Sequence, residues 1–554
     1  MSKPGAYLVC RLIALGILIL LGSELILSAQ QLAFPGAEGF GRHALGGRGG
    51  DVYHVTKLTD WGEGTLRYGL ETATGPRTIV FDLSGTIQLT RILTVSKPYI
   101  TIAGQTAPGN GITLAGQNLS IEADHIIVRY IRVRLGDQSG GDDDAISVRS
   151  GSNIIIDHVT ASWGVDETFS FQSNAIDSLT VQWCMITESL RDSHHEKGLH
   201  GYGGIMGGLR QSVHHNLYAH HSSRSPKITG RRHCEVDFRN NLIYNWGYNN
   251  CYDGTKSYIN WVNNYYKAGP GTNSNVKNRI FELSDAPVDP ENEGWEISNT
   301  YVTSLYAEGN YLEGYPDESM DNWNGGIDFM KGASEAENRV VAPHNFPLIT
   351  EHSAEAAYPL VLESAGASKF RDAIDERIVK EVETGTVTYS GSKTGTPGII
   401  DSQEDVGGLP DLSSVPSSTD TDRDGMPDTW EIQNGLDPNN PEDRNDDRNS
   451  DGYTNLEEYL EAAISMEDVG VEERETQHSF FCYPNPSDTG FTIELNMPGD
   501  SMIEIFNSRG QLRFKTSTQK TLYSIADHQL EAGIYLLRVR NQTGLQFSEK
   551  LVIH

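Results

Sequence analysis

Cysteine and basic residues are scarce in this 554-residue chain, and it has no long apolar run. Of five cysteines, Cys10 lies within the first 29 residues. Cys184, Cys234, Cys251 and Cys482 are widely spaced, without a Cys-x-x-Cys pair. That excludes a cysteine-paired zinc signature and a fold that depends on a disulfide framework. A single bridge between the nearest pair, Cys234 and Cys251, and buried free thiols both stay open. Lys and Arg number 43 against 75 Asp and Glu, a net charge of −32, which excludes nucleic-acid binding through a broadly basic surface. The longest apolar run, 12–21, is about half the roughly twenty residues of a membrane span.

What is present begins with a leader. The chain starts Met1-Ser2-Lys3, reaches Arg11, turns apolar over 12–21 and passes Leu27-Ser28-Ala29 before Gln30. A charged start, short apolar core and small-residue exit predict a secretory signal peptide over 1–29. A membrane anchor is the weaker alternative, because the run is short and Glu24 follows it. Beyond it, 37% hydrophobic residues with 24 Tyr and 8 Trp imply a folded chain. Length alone suggests three or four domains, unless a solenoid absorbs several.

Short β-type runs separated by Gly, Asn, Asp and Ser begin near residue 95. Ile127, Ile155, Val181, Val213, Val236 and Ile259 recur at 23 to 32 residues, the period of a strand-built solenoid. Asn falls in like places in His215-Asn216-Leu217-Tyr218, Asn240-Asn241-Leu242-Ile243, Asn263-Asn264-Tyr265-Tyr266 and Gly309-Asn310-Tyr311-Leu312. Stacked Asn side chains would satisfy one another along a turn. The expected fold class is all-β, a right-handed parallel β-helix over 30–400; an antiparallel sandwich would want tighter hairpin turns than this chain offers. Residues 270–400 read only as further coils and loops.

Residues 401–419 are a linker by composition, rich in Gly, Pro, Ser and acid. They open a stretch, 401–470, with 20 acidic and 3 basic residues. Two calcium loops over 420–465 account for it. Asp420, Asp422, Asp424, Gly425, Asp428 and Glu431 stand at positions 1, 3, 5, 6, 9 and 12 of the first, and Asp447, Asn449, Asp451, Gly452, Asn455 and Glu458 repeat the spacing. Alternating hard oxygens, a glycine at the sharp turn and a closing glutamate suit Ca2+. A solvated acidic linker would rarely keep both glycines and both glutamates in register, and in an exported chain the role is structural.

Residues 478–554 read as a small β-sandwich. They also resemble the C-terminal sorting domain of type IX secretion cargo, through Tyr483-Pro484-Asn485-Pro486, Asn507-Ser508-Arg509-Gly510-Gln511, the GIYLLRV run from Gly533 and the closing KLVIH. The resemblance implies the type IX secretion machinery as a partner and a protein that is secreted or attached to the outer-membrane surface.

Ionisable residues are densest between 136 and 231. Asp142-Asp143-Asp144 precede one strand, and Asp166-Glu167 follow one coil later. Stacked coils lie about 4.8 Å apart, so these carboxylates could face a shared cation, most simply calcium. Seven of 17 histidines fall within 194–221; zinc is conceivable, but stacked or turn histidines fit better. Fixed positive charge on later coils, including Arg224, Lys227 and Arg231, suits an anionic substrate.

This block resembles the pectate lyase family of parallel β-helix polysaccharide lyases (family 1). The resemblance rests on Ala33-Phe34-Pro35-Gly36-Ala37-Glu38-Gly39-Phe40-Gly41, Asp144-Ala145-Ile146-Ser147-Val148, Ile156-Asp157-His158, Trp163-x-x-Asp166-Glu167 and Arg224-x-Pro226-Lys227. It implies calcium-assisted β-elimination of α-1,4-linked galacturonate (pectate, polygalacturonate or a related uronate polymer) by a secreted enzyme, expected as a monomer. It further implies Arg224 as base and Lys197 as the lysine on the substrate carboxylate, with Lys227 and Arg231 binding substrate. Asp142, Asp144, Asp166 and Glu167 would hold the calcium. An ordinary guanidinium stays protonated, so Lys197, Lys227 and Arg231 are expected to crowd Arg224. One departure stands out: Ser170 and Phe171 occupy the place of the family's second acid. Alternatives are a polygalacturonase-type hydrolase on the same fold, a calcium-independent pectin lyase, or a non-catalytic pectin-binding protein. The first lacks its Arg-x-Lys motif here, and the second class lacks the acid cluster.

Overall fold

A computed structural model describes residues 30–230, 234–287 and 301–465. Within 480–553 it describes 480–483, 487, 490–495, 501–507, 511–526, 530, 532–541 and 546–553. The leader expected over 1–29, Arg231, and Pro484-Asn485-Pro486 and Ser508-Arg509-Gly510 of the tail motifs lie outside the described residues. The chain forms two units, Met1–Gly470 and Val471–His554. Among the described residues no helix is long and apolar enough to cross a membrane.

The first unit is a parallel β-helix. Each coil gives one strand to each of three parallel sheets. The first sheet runs over ten strands from Asp51–Val55 to Ser304–Glu308, the second over nine from Gly85–Gln88 to Tyr311–Leu312, and the third over nine from Leu93–Val95 to Ile327–Met330. Strand alternation sends one residue set inward, so Leu119, Ile146 and Phe169 stack in register inside the third sheet. One continuous apolar core fills the coils.

A single residue in the left-handed region turns each coil from the first sheet to the second: Tyr130, His158, Trp183, His215, Asn240 and Asn263, with φ between 52° and 56°. Asn and His tolerate that conformation better than branched residues do. The aromatic ones stack, with Tyr130 on His158 at 4.6 Å and Trp183 on His215 at 4.3 Å. The next residue builds the expected asparagine ladder. Asn216 Nδ2 donates to Asn241 Oδ1 at 2.9 Å, Asn241 to Asn264 at 3.1 Å, Asn264 to Asn310 at 2.8 Å and Asn310 to Asn322 at 2.9 Å. The branched-residue repeat is less exact. Ile127 pairs with Ile155, Val181 with Val213 and Val236 with Ile259, but Ile155 pairs with Thr180 and Val213 with Phe238. Ile127 and Ile155 pack outward on Ala33, Phe34, Ala37 and Ala44, whereas Val181, Val213, Val236 and Ile259 face the core, and only one position per coil satisfies the ladder.

Past the last coil the chain returns along the solenoid. Helices Ala354–Ser364 and Ala373–Thr384 lie in this return, which is anchored where buried Arg134 meets Asp372 at 2.7 Å and Asp375 at 2.9 Å. Residues 401–419, a linker by composition, are held by specific bonds: Leu83 pairs with Pro416, and Ser84 Oγ donates to Ser413 O and accepts from Val415 N. The segment that follows packs Met426, Trp430, Leu456, Tyr459 and Leu460 around Ala103 and Val52 of the first sheet. Cys184, Cys234, Cys251 and Cys482 are all buried. The second unit consists of a three-stranded and a four-stranded antiparallel sheet that share a core around Ile493, Ile503, Leu537 and Leu551, consistent with a small sandwich.

Three buried histidines give the solenoid an acid limit. Burial is the main cause that depresses His214 and His221 to about 3 and His215 to about 2, from 6.5. The unfolded chain binds these protons near pH 6.5 and the folded chain does not. Their stabilising contribution is therefore complete above that pH and is lost as pH falls toward 3, by up to about 1.4 kcal/mol per histidine per pH unit. Thermal unfolding from pH 7.5 to 4 should show the melting temperature falling steadily below pH 6.5; a flat profile would refute this.

Candidate active site

A cleft of about 670 Å³ lies along the outer face of the third sheet. Its floor is the outward row of Ser147, Ser170, Ile205 and Lys227, and its wall is the turn that precedes each strand. Asp144 stands two residues before Ile146–Val148 and Glu167 two before Phe169–Phe171. Isolated parallel pairings extend the sheet from Glu167 to Tyr202 and from Tyr202 to Ser223, placing Arg224 two coils beyond Glu167.

The carboxylates are fixed by hydrogen bonds between coils. Asp144 Oδ1 accepts from Glu167 N at 3.0 Å and Oδ2 from Ser147 Oγ at 3.0 Å, while Asn118 Nδ2 donates to Ser147 Oγ and to Asp144 O. Asp143 O receives Val165 N and Asp166 N. Asp144, Asp166 and Glu167 each bring one oxygen within 4.8 Å of the others. Burial, and then the Asp166 charge, push Asp144 up to about 7, and Asp143 is raised by burial as well. Burial also opposes ionisation of Asp166, but His200 and His195 outweigh it and hold that carboxyl below the usual range. His200 Nε2 lies 2.5 Å and His195 Nε2 3.3 Å from Asp166 Oδ1, and the two rings stack at 4.0 Å. Three clustered hard oxygens, the central one resisting ionisation, fit a divalent cation such as calcium.

The expected residues divide. Asp142 lines the cleft but stands apart from the three-carboxylate cluster, its carboxylate accepting from Glu196 N at 3.2 Å. Ser170 accepts from Ile205 N, and Phe171 is in the core. Lys197 is exposed on the long 188–204 excursion and lines the cleft. Lys227 reaches Asp253 at 3.7 Å. Arg224 has φ +60°. Its guanidinium lies 4.4 Å over the Tyr202 ring and forms an ion pair with Glu167, and the Tyr252 hydroxyl hydrogen-bonds to it. Its ion-pair partner is thus an acid; of the expected basic neighbours Lys197 and Lys227 line the same cleft, and Arg231 lies outside the described residues. The turn that carries Tyr202 is glycine-rich, and Gly203 is required by close approach: a Cβ there would meet Arg224 O at 2.3 Å. Tyr202, between two glycines, gave no sequence signal, although it forms the platform under Arg224.

The second acidic region is compact. In the first loop Asp420, Asp422 and Asp424 converge; Asp424 also converges with Glu431 and with Asp443, which the spacing did not single out. Asp428 instead accepts from Thr421 N and Thr421 Oγ1, both at 2.7 Å. In the second loop Asp447, Asp451 and Glu458 converge. Asn449 Nδ2 donates to Asp451, and Asn455 Nδ2 to Asp443 O.

Residues 482–554 match the family described as a secretion system C-terminal sorting domain. The chain is 36% identical over 453 residues to the probable pectate lyase C of Aspergillus flavus, covering 80% of this chain and 96% of the relative. A relative of the same name from Emericella nidulans is 38% identical over 440 residues, 78% of this chain and 93% of the relative. Among solved structures, the cedar-pollen major allergen Jun a 1 is similar, with a TM-score of 0.43 and 20% identity over 60% of this chain and 92% of that one.

Proposed function

The chain belongs to the pectate lyase family and is a polysaccharide lyase with a C-terminal sorting domain, and from the cleft we propose that it cuts α-1,4-galacturonan by calcium-assisted β-elimination with Arg224 as base. The observation that carries this reading is the convergence of Asp144, Asp166 and Glu167 beside the guanidinium of Arg224. Calcium held by those three carboxylates would act as a Lewis acid on the substrate carboxylate and make the adjacent C5 proton more acidic. Arg224 is positioned to take that proton: Tyr202 supports its guanidinium from below and Tyr252 holds it from the side. The electrons of the C5–H bond form the C4–C5 double bond, and the C4–O bond breaks. The leaving chain then takes up a proton as its new hydroxyl. When Glu167 is engaged elsewhere, Arg224 loses the acid it pairs with, and its guanidinium is free to face the substrate in a cleft that Lys197 also lines. Lys197 and Lys227, which line the cleft, would bind uronate carboxylates.

The two acidic loops are proposed to hold structural calcium. A leader over 1–29 and the sorting domain together support export through the type IX machinery, with the enzyme released or retained at the cell surface.

The test uses the chain from residue 30 with polygalacturonate, following ultraviolet absorbance of the conjugated unsaturated product. A rise with calcium that EDTA abolishes is expected. New reducing ends without absorbance would replace the lyase by a hydrolase, and neither signal would leave a binding protein.

A further inference from the structure

The first acidic loop carries more buried charge than its motif requires. Glu431 is fully buried and Asp424 is 1% exposed. Both Glu431 carboxylate oxygens, both of Asp422, Oδ2 of Asp424 and Oδ1 of Asp443 are buried without a hydrogen-bond partner. Unpartnered buried carboxylate oxygens are costly unless a cation meets them. The residue in ninth position does not share this environment, because Asp428 spends both oxygens on Thr421.

The loop is also tied to the solenoid. His54, on the first strand Asp51–Val55, bonds to Asp82 at 2.7 Å through Nδ1. Its Nε2 bonds to Arg423 O at 3.1 Å and lies 3.6 Å from Asp420. Met426 and Leu456 pack with Val52. The next helix, Asn455–Ser465, is pinned by Arg48 to Glu457 at 2.7 Å and by Arg129 to Glu461.

We infer that Asp420, Asp422, Asp424, Glu431 and Asp443 form one calcium site in which Asp443, not Asp428, completes the ligand set, and that its occupancy governs the order of the solenoid's first coil. The inference rests on the reading of the loops as calcium sites, and is independent of the catalytic one. Five carboxylates can supply the six to eight oxygens calcium takes. Asp443 comes from the connector between the loops, so one ion would join loop, connector and, through Arg423 O and Asp420, the His54 strand.

Calorimetric calcium titration of the chain from residue 30 and of Asp443→Asn and Asp428→Asn tests the ligand set. Asp443→Asn should lose one calcium equivalent or weaken it about tenfold or more, whereas Asp428→Asn should retain all equivalents within about threefold. The opposite ranking would overturn the assignment. Hydrogen exchange of the unsubstituted chain needs no variant to fold: calcium should slow exchange in residues 51–55, and no change there would overturn the coupling. Product formation from polygalacturonate, measured alongside, reports on the cleft alone, so a chain inactive on pectate but protected by calcium would separate the two readings.

Discussion

Replacing Arg224 by lysine should lower unsaturated-product formation about a thousandfold, roughly 4 kcal/mol of transition-state stabilisation, and leave calcium binding intact. Lysine keeps the positive charge but loses the planar fork that lies on Tyr202 and spans two coils to Glu167. If Arg224 served only to neutralise the cleft, the substitution would be nearly silent. If it takes the C5 proton, the position of its nitrogen decides the rate. Withdrawing the guanidinium fork from Glu167 should leave the cleft's affinity for calcium unchanged or slightly higher. The decisive pair of measurements is the initial rate by ultraviolet absorbance and calcium affinity by calorimetry; a variant with more than about a tenth of the parent rate would dismiss Arg224 as the base.

Chelation should have an effect of similar size, and single carboxylate changes should divide it. EDTA is expected to reduce product formation to background, with recovery on adding calcium. Asp144→Asn, which removes the charge while its carbonyl oxygen still accepts from Glu167 N and its amide can donate to Ser147 Oγ, should raise the half-saturating calcium concentration about tenfold or more. Asp142→Asn should shift it by less than about threefold, because that carboxylate is directed to the backbone of Glu196. Equal shifts for the two variants would restore Asp142 to the ligand set.

Much of the fold was legible because a β-helix repeats one requirement in every coil. Asn216, Asn241, Asn264 and Asn310 recur in sequence because each must meet the next, and their register is the observed one. The valine and isoleucine repeat slipped by one or two residues because both faces of the first sheet carry apolar side chains: Ile127 and Ile155 pack outward on the N-terminal segment, while Val181, Val213, Val236 and Ile259 pack inward. The carboxylates of the cleft were legible as like charges on adjacent coils. The Arg224–Glu167 pairing was not, since it crosses an intervening coil and depends on Tyr202, a lone aromatic in a glycine-rich turn. Asp443 escaped notice for a related reason: loop spacing describes a local ligand set, and this residue arrives from outside it. The 401–419 segment has the composition of a free tether, yet Pro416 and Val415 dock on Leu83 and Ser84 through backbone bonds that composition does not encode.

The asparagine ladder also constrains how such a chain can change length. An insertion within the strands that flank Asn241 or Asn264 would offset a rung and strand its carboxamide in the core, whereas extra residues in the loops are accommodated, as the 46 residues between Asn264 and Asn310 show. The ladder itself therefore grows only by complete coils, each bringing a new rung. Each added coil would lengthen the groove by one strand width, about 4.8 Å, so the number of sugar units engaged can be altered in discrete steps without redrawing the catalytic turns.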